Sequence, residues 1–458
     1  MRDLQPLLRP RSIAVVGASS SARKSGGLLF ANLVNGGFTG DLFPINPGAK
    51  EIMGRPVYAA ISQVPNKVDL AFVVLPRDSV LNAVEECGLA GCRAVCIIAA
   101  GFSEVGELGK ADQIKLKQLA AQYKMLLVGP NTIGIIDAHT SMMGSFIGFP
   151  RWEKGGMSLF AQSGIYNGAV MLEFMNQDVQ RPGVMTSLAV GNKVDVDEVD
   201  FLHFAGSDPE TKVIGLYLES IDDPRAFIEK AAEVRERKPI VVLKSGRTAE
   251  GARASASHTG SMMTDDKLLQ VGFDQFGIAR ANDEREFIDA LRTLEMLPTP
   301  KGRRIAIATT SGALGVMSTD MLISEGLELA KFSAATTAKL QEILPKFIEP
   351  ANPFDFWISV DLKGARVAHE QGLEPIFQDS NVDAVIGILL APAGAAFEEF
   401  GALMRRLRDK YGKPFVIVIY GDDTGKKWLK DLEGAGIPVF GSTRSAVRAL
   451  SLAIQATC

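Results

Sequence analysis

Basic residues are not in excess. Lys and Arg number 49 against 53 Asp and Glu, and the formal net charge is −4. That balance excludes a nucleic-acid binder driven by bulk charge. Aromatic residues, at 7%, are too few for a base-stacking surface. No apolar run approaches the roughly eighteen residues of a membrane span. The opening MRDLQPLLRP lacks the apolar centre of a signal peptide. A cytoplasmic protein with no membrane or nucleic-acid partner is expected. Cysteine is scarce, and Cys87, Cys92, Cys96 and Cys458 make no disulfide framework. The Cys92–Cys96 spacing has neither a second pair nor a neighbouring His to complete a zinc site, so reduced thiols and no metal site are expected. Histidine is equally rare, with four in 458 residues. One of them, His258, sits in ASASHTG, a run with too little apolar side chain for core and too little charge for ordinary solvated surface.

A chain of this length exceeds one hydrophobic core. Its 45 glycines suit the tight strand-to-helix turns of an α/β protein. RSIAVVG, GDLFPINP, KVDLAFVVLP, CRAVCIIAAG and KMLLVGPN are short apolar runs closed by Gly, Pro or Asn, with helical stretches such as DSVLNAVEECGLAG between them. The alternation predicts a doubly wound parallel sheet over residues 1–140. A second series opens at GGMSLFAQSGIYNGAV, and a third at GRRIAIATTSGALGVM beyond the linker LPTPKG. Both openings run from an apolar strand through Ser-Gly into an amphipathic helix. The match continues from VIGLYLESI to VIGILLAPA and from KPIVVLKSG to KPFVIVIYG. Residues 155–297 and 302–458 are therefore read as a duplicated α/β unit.

The copies differ at one place. The path from Gly246 to Gly277 is longer than its counterpart from Gly421 to Gly436, and the added residues contain ASASHTG. The same alignment sets Glu219 opposite Ala391. His258 and Glu219 are thus present together in one copy and absent together from the other, as expected of cooperating groups. A carboxylate on one imidazole nitrogen fixes the tautomer and leaves the other nitrogen to attack. The plain alternative is a loop histidine bonded only to backbone.

Ser163-Gly164 in FAQSGIYNG and Ser311-Gly312 in TTSGALG fall where a strand hands over to a helix. Helix starts present unpaired N–H groups that suit phosphate. A nucleophile elbow is the rival, but Gln162-Ser163-Gly164 lacks the first glycine of G-x-S-x-G. Together these features point to phosphoryl transfer through phosphohistidine. Asp195 and Asp197 in GNKVDVDEV either approach the phosphate or cap the next helix. His203 is expected to pack on that helix, and no partner is identified for His139 or His369. The turn GASSSARKSGG, with Ser19 two positions after Gly17, is not the dinucleotide fingerprint. Its hydroxyl residues and Lys24 still suit a nucleotide or pyrophosphate.

Read in order, VGASS, PINPG, DLAFVVLP, AAGFSEVG, GPNTIGI, AQSG, GNKVDVDEVDFL, LYLESI, LKSGRTAEGARASASHTG, TSGALGVM and NPFDFW resemble the α subunit of NDP-forming acyl-CoA synthetases, relatives of succinyl-CoA synthetase. The resemblance spans essentially the whole chain. It implies an α/β protein with an N-terminal Rossmann-like CoA-binding domain followed by two duplicated flavodoxin-like parallel-sheet domains. The CoA phosphates would lie near Gly17, Ala18, Ser19, Ser20 and Lys24. The adenosine part would lie near Asn46, Pro47, Val74, Leu75 and Pro76, and the route to the thiol would pass Gly101, Phe102, Glu104, Asn131 and Thr132. His258 matches the phosphorylated histidine, Glu219 its supporting carboxylate, and Ser163 and Gly164 the phosphate-binding turn. Thr259, Gly260, Ser311 and Gly312 are grouped with that turn.

Three positions depart from the family pattern. Gly48 stands where Lys is frequent, with Lys50 nearby. Thr132 replaces a commoner Cys, and Tyr166 and Asn167 replace smaller or apolar residues. The implied reaction converts acyl-CoA, ADP or GDP and phosphate into acid, CoA and NTP through acyl phosphate and phosphohistidine. No Walker loop or ATP-grasp sequence is found. The resemblance therefore implies a separate ATP-grasp β subunit, in an α2β2 complex, that brings Mg-ADP/ATP or GDP/GTP. Two rival readings stay open: a non-catalytic CoA-binding or regulatory protein of the same fold, and a citrate-cleaving or malate–CoA ligase relative.

Overall fold

The computed structural model describes residues 2–149, 154–175, 183–259, 265–391, 399–421 and 423–457, with backbone alone at 175, 255–259 and 424. They divide into two compact units, one up to Phe276 and the other from Gly277.

The first unit holds two sheets. In one, Ser12–Val16 lies between Asp41–Ile45 and Leu70–Val73, with Ala14 opposite Phe43 on one side and Ala71 on the other. Ala94–Ile97 and Leu126–Val128 extend it, all strands parallel. The central strands are buried on both faces, which is why they read as unbroken apolar runs rather than alternating ones. The chain builds outward to Asp41–Ile45, then crosses back to Leu70–Val73. That reversal opens a crevice at the carboxyl ends of Ser12–Val16 and Leu70–Val73.

The second sheet repeats the device. Met157–Ala161 lies between Val184–Ala189 and Val213–Leu218, and Ile240–Lys244 pairs beyond the latter. Its other side carries an antiparallel hairpin, Gly134–Asp137 with Met142–Ser145. The chain again reverses at the carboxyl end of its central strand, just before Gln162, Ser163 and Gly164. Asp195 and Asp197 have structural tasks. Asp195 accepts the Leu127 N–H at 3.0 Å, and Asp197 caps helix Glu198–Ser207 by accepting the N–H groups of Val199 and Asp200 at 3.0 Å each. His203 is half-buried on that helix, and His139 pairs through Nδ1 with Glu210 at 2.6 Å. Around His258 the backbone is a helix, Ala249–Thr259, rather than a loop. Ala249, Ala252, Ala254 and Ala256 are strong helix formers, and they outweigh the intervening serines.

The second unit orders its parallel strands Glu328–Leu329, Arg304–Thr309, Ala384–Ala391, Phe415–Gly421, Val439–Phe440. The first four reproduce the order Val184–Ala189, Met157–Ala161, Val213–Leu218, Ile240–Lys244, so the sequence duplication is also a duplication of topology. Helix Glu284–Met296 belongs to this unit by its contacts. Ion pairs too distant in sequence to be foreseen hold it there. Arg448 Nε lies 3.0 Å from Glu286, and Arg292 Nη2 lies 2.6 Å from Glu433.

The Arg292 and Glu433 side chains are only 2% and 3% exposed. Glu433→Ala would leave the buried Arg292 guanidinium with Asp289, 3.6 Å from its Nη1, in place of the 2.6 Å pair, at a cost of about 3 kcal/mol, read as a lower denaturant midpoint for the second unit. His369 is buried against Phe356, Phe400 and Trp428. Burial pushes its pKa down to about 4 from an ordinary 6.5, against the opposing bond of its Nδ1 to the Ala365 carbonyl. Between those values the unfolded chain holds a proton there that the folded chain refuses, so stability falls as pH drops through that window. Unfolding midpoints measured at pH 6.5 and 4.5 should show the fall, and His369→Leu should flatten it.

Candidate active site

The two crevices meet in one cavity of about 630 Å³ within the first unit. Gly17, Arg23 and Lys24 line it from the turn after Ser12–Val16, and Val74, Leu75 and Pro76 from the turn after Leu70–Val73. Asn131, Thr132, Ile133 and Phe146 form further wall, and Gln162, Ser163, Gly164 and Ile165 come from the second sheet. Gly17 has φ +91°, and a Cβ there would meet the Val74 carbonyl oxygen at 2.3 Å. Helix Ser25–Asn35 presses on the same turn, since a Cβ on Gly26 would lie 2.1 Å from the Gly17 carbonyl oxygen. Small residues are therefore a packing requirement of this turn, and its cations, Arg23 and Lys24, stand at the cavity.

Other residues expected along the ligand do not line the cavity; most of them build its frame. Asn46 donates from Nδ2 to the Ala18 carbonyl at 2.7 Å, and Ser19 Oγ accepts the Ser21 N–H at 3.1 Å. Ser20 and Pro47 are exposed, as is Gly48. Phe102 is core, at 1% exposure. Glu104 accepts the N–H groups of Gly101 at 2.6 Å and Phe102 at 3.1 Å, and the Asn192 amide at 2.6 Å. Partial burial pushes its carboxyl up, but the Gly101 and Asn192 hydrogen bonds outweigh this and hold it below the usual range. Asn192 itself lines the cavity, so Glu104 acts on it at one remove. Thr132 donates its hydroxyl to the Ala189 carbonyl and accepts the Gly134 N–H at 3.0 Å, and so holds the wall together through backbone.

Glu219 follows Val213–Leu218, buried at 7% exposure. Its N–H and that of Ser220 both donate to Gln162 Oε1, the latter at 2.8 Å, and Gln162 Nε2 donates to Ser220 Oγ at 2.9 Å. Lys244 Nζ donates to the Glu219 carbonyl at 2.8 Å, and the Tyr217 phenol donates to Glu219 Oε1 at 3.2 Å. Gln162 thus locks the carboxylate segment to the Ser163–Gly164 turn. The His258 and Thr259 side chains and Gly260 lie outside the described residues. Ser311 and Gly312 lie in the second unit, at the start of helix Gly312–Ser324. The Asp355 carboxylate faces that helix start, with Oδ2 3.1 Å from the point a Cβ on Gly312 would occupy.

Gln162, Asn192, Arg23, Ile133 and Phe146 were not singled out from sequence as site residues. Gln162 and Arg23 adjoin residues that were, and that adjacency was the available signal.

Comparison with known proteins decides between families. Residues 11–138 match the CoA binding domain, and residues 154–294 the succinyl-CoA ligase like flavodoxin domain. The α subunit of acetate–CoA ligase [ADP-forming] II from Pyrococcus furiosus is 33% identical over 458 residues, covering 99% of this chain and 97% of that one. The chain belongs to the family of α subunits of ADP-forming acyl-CoA ligases. Acetate–CoA ligase [ADP-forming] II of Archaeoglobus fulgidus is 34% identical over 451 residues, or 98% of this chain but 66% of that longer protein. Among solved structures, dinucleotide forming acetyl-coenzyme A synthetase 1 of Ca. Korarchaeum cryptofilum, in complex with phosphate and ADP, superposes with a TM-score of 0.92 at 32% identity, covering 100% of this chain and 97% of that one.

In a family member built this way, the close fit of Gly26 against Gly17 should be a condition of CoA binding. Gly26→Ala forces a methyl into the Gly17 carbonyl, and overpacking of this kind costs about 1–3 kcal/mol. CoA affinity by titration calorimetry should fall roughly tenfold or more, with unfolding of the second unit unchanged.

Proposed function

We propose that this chain is the CoA-binding, phosphohistidine-bearing subunit of an ADP-forming acyl-CoA ligase, working with a separate ATP-grasp partner in an α2β2 complex. The observation that carries the reading is the single cavity reached by both switch-point turns, Gly17–Lys24 and Ser163–Gly164, with Glu219 locked beside the second by Gln162. Within the family reaction, CoA lies along the first turn, its phosphates near Arg23 and Lys24. Inorganic phosphate sits at the Ser163–Gly164 helix start.

The steps follow from this placement. A phosphate oxygen attacks the thioester carbonyl, the C–S bond breaks, and CoA leaves as thiolate. A His258 nitrogen then attacks phosphorus, and the P–O bond to the acyl group breaks with its electron pair on the departing carboxylate. The imidazole becomes cationic as the N–P bond forms, and Glu219 stabilises that charge. No step is assigned to the Ser311–Gly312 turn, which lies in the second unit. Two relatives support a separate nucleotide-binding partner: the Pyrococcus protein is itself named a subunit, and the longer Archaeoglobus chain carries residues that this one does not match.

Incubation of the full chain with radiolabelled phosphate and a panel of acyl-CoAs, with and without the partner, tests the proposal. Acid-labile, alkali-stable label should appear with one class of acyl-CoA and vanish in His258→Ala. Protein that binds CoA yet takes no label under either condition would be a CoA-binding protein without turnover, and the proposal would fall.

A further inference from the structure

The chain carries two tyrosines beside the site that the mechanism leaves unused. Tyr217 and Glu219 are two residues apart on one extended segment, so their side chains leave the same face. The Tyr217 phenol donates to Glu219 Oε1 at 3.2 Å. Tyr166 comes from the first turn of helix Gly164–Met175 and lays its ring on that of Tyr217, with centroids 4.3 Å apart and planes inclined at 33°. Its N–H donates to Ser163 Oγ at 3.4 Å. A continuous line of contacts therefore runs from the phosphate turn through Tyr166 and Tyr217 to the carboxylate. Gln162 supplies the parallel backbone link, since its Oε1 accepts from Glu219 and Ser220.

We propose that Tyr217 is a positioning residue for Glu219, and that the Tyr166 ring holds Tyr217 in place, so that the Ser163–Gly164 turn and the carboxylate are aimed as one piece. The inference rests on the reading of Glu219 as the group that supports His258. The bonds from Glu219 N–H to Gln162 and from Lys244 to the Glu219 carbonyl hold its main chain, and three rotatable bonds separate that main chain from its carboxylate. A phenol bound to one oxygen sets the carboxylate plane, and with it the direction in which the other oxygen presents. Aromatic stacking restrains the phenol in turn. Burial, reinforced by the Glu219 charge and opposed by a hydrogen bond with Ser245, pushes the phenol up to about 12, so it remains a donor at neutral pH.

The test uses the full chain with its nucleotide-binding partner, radiolabelled phosphate and the acyl-CoA that labels it best, read as single-turnover phosphohistidine formation. Tyr217→Phe keeps the ring and removes the donor. The rate should fall roughly tenfold, the scale of one hydrogen bond to a charged group, with CoA affinity unchanged. Tyr166→Leu, which leaves the phenol but removes its support, should slow the same step without changing CoA affinity. Glu219→Asp retracts the carboxylate by one methylene out of reach of the phenol, so in that background Tyr217→Phe should cost nothing more.

A full rate in Tyr217→Phe, or the same tenfold loss in both backgrounds, overturns the proposal. A loss matched by equal weakening of CoA binding also overturns it, since that marks a general packing defect. If Glu219→Asp is too slow to follow, the split between labelling rate and CoA affinity in Tyr217→Phe and Tyr166→Leu decides alone. The two levels of the argument fail differently. Wild-type labelling in Glu219→Asp removes the assigned role of Glu219, and this proposal with it. Slow labelling in Glu219→Asp beside fast labelling in Tyr217→Phe removes only the role of Tyr217.

Discussion

One side-chain amide fixes the spacing on which the site depends. Gln162 immediately follows the central strand of the second sheet, and its carboxamide bridges to the residues just past the neighbouring strand by accepting from Glu219 and Ser220 and donating to the Ser220 hydroxyl. Backbone pairing ends near this point: Ala161 still faces Tyr217 in register, and beyond it the strands diverge into turns. A doubly wound sheet brings its carboxyl-end turns near one another but does not set their separation within hydrogen-bond tolerance. The Gln162 amide does so, because a buried amide must satisfy its donors and acceptors and has few geometries in which to do it.

The first sheet meets the same need by shape. Around Gly17 the chain approaches itself so closely that side chains are excluded at two successive crossings, Gly17 against Val74 and Gly26 against Gly17. The turn is held by contact rather than by a polar bridge, and Arg23 and Lys24 remain available at its mouth. The two halves of one cavity are therefore stabilised by different means. A close-packed backbone turn brings Arg23 and Lys24 to one side, and on the other a hydrogen-bonded splice ties the Glu219 segment to the Ser163–Gly164 turn.

What the sequence disclosed follows the range of the interaction involved. Strands, turns and the duplication were legible because they rest on local apolar runs and small residues, and Glu219 stands out in sequence because the second copy lacks it. The helix through His258 was hidden by the polarity of its serines, although its alanines favour that conformation. Glu104 is placed along the ligand by the family resemblance alone, and its carboxylate accepts the N–H groups of Gly101 and Phe102. Gln162 and Asn192 take their roles from segments far away in the chain. The Arg292–Glu433 and Arg448–Glu286 ion pairs likewise join partners that no local pattern reveals.

The paired copies also show what folding requires at the Glu219 position. Where the first copy ends its strand at Leu218 and turns through a buried Glu219, the second ends at Ala391. The same strand order forms in both, so the architecture does not need a carboxylate at that place. Removing an ion from water costs several kcal/mol even when it is well bonded. Glu219 is therefore a standing liability to the stability of its own domain, tolerated beside the bonds of Gln162 and Tyr217. Selection for thermal robustness alone would drive the first copy toward the second at this position.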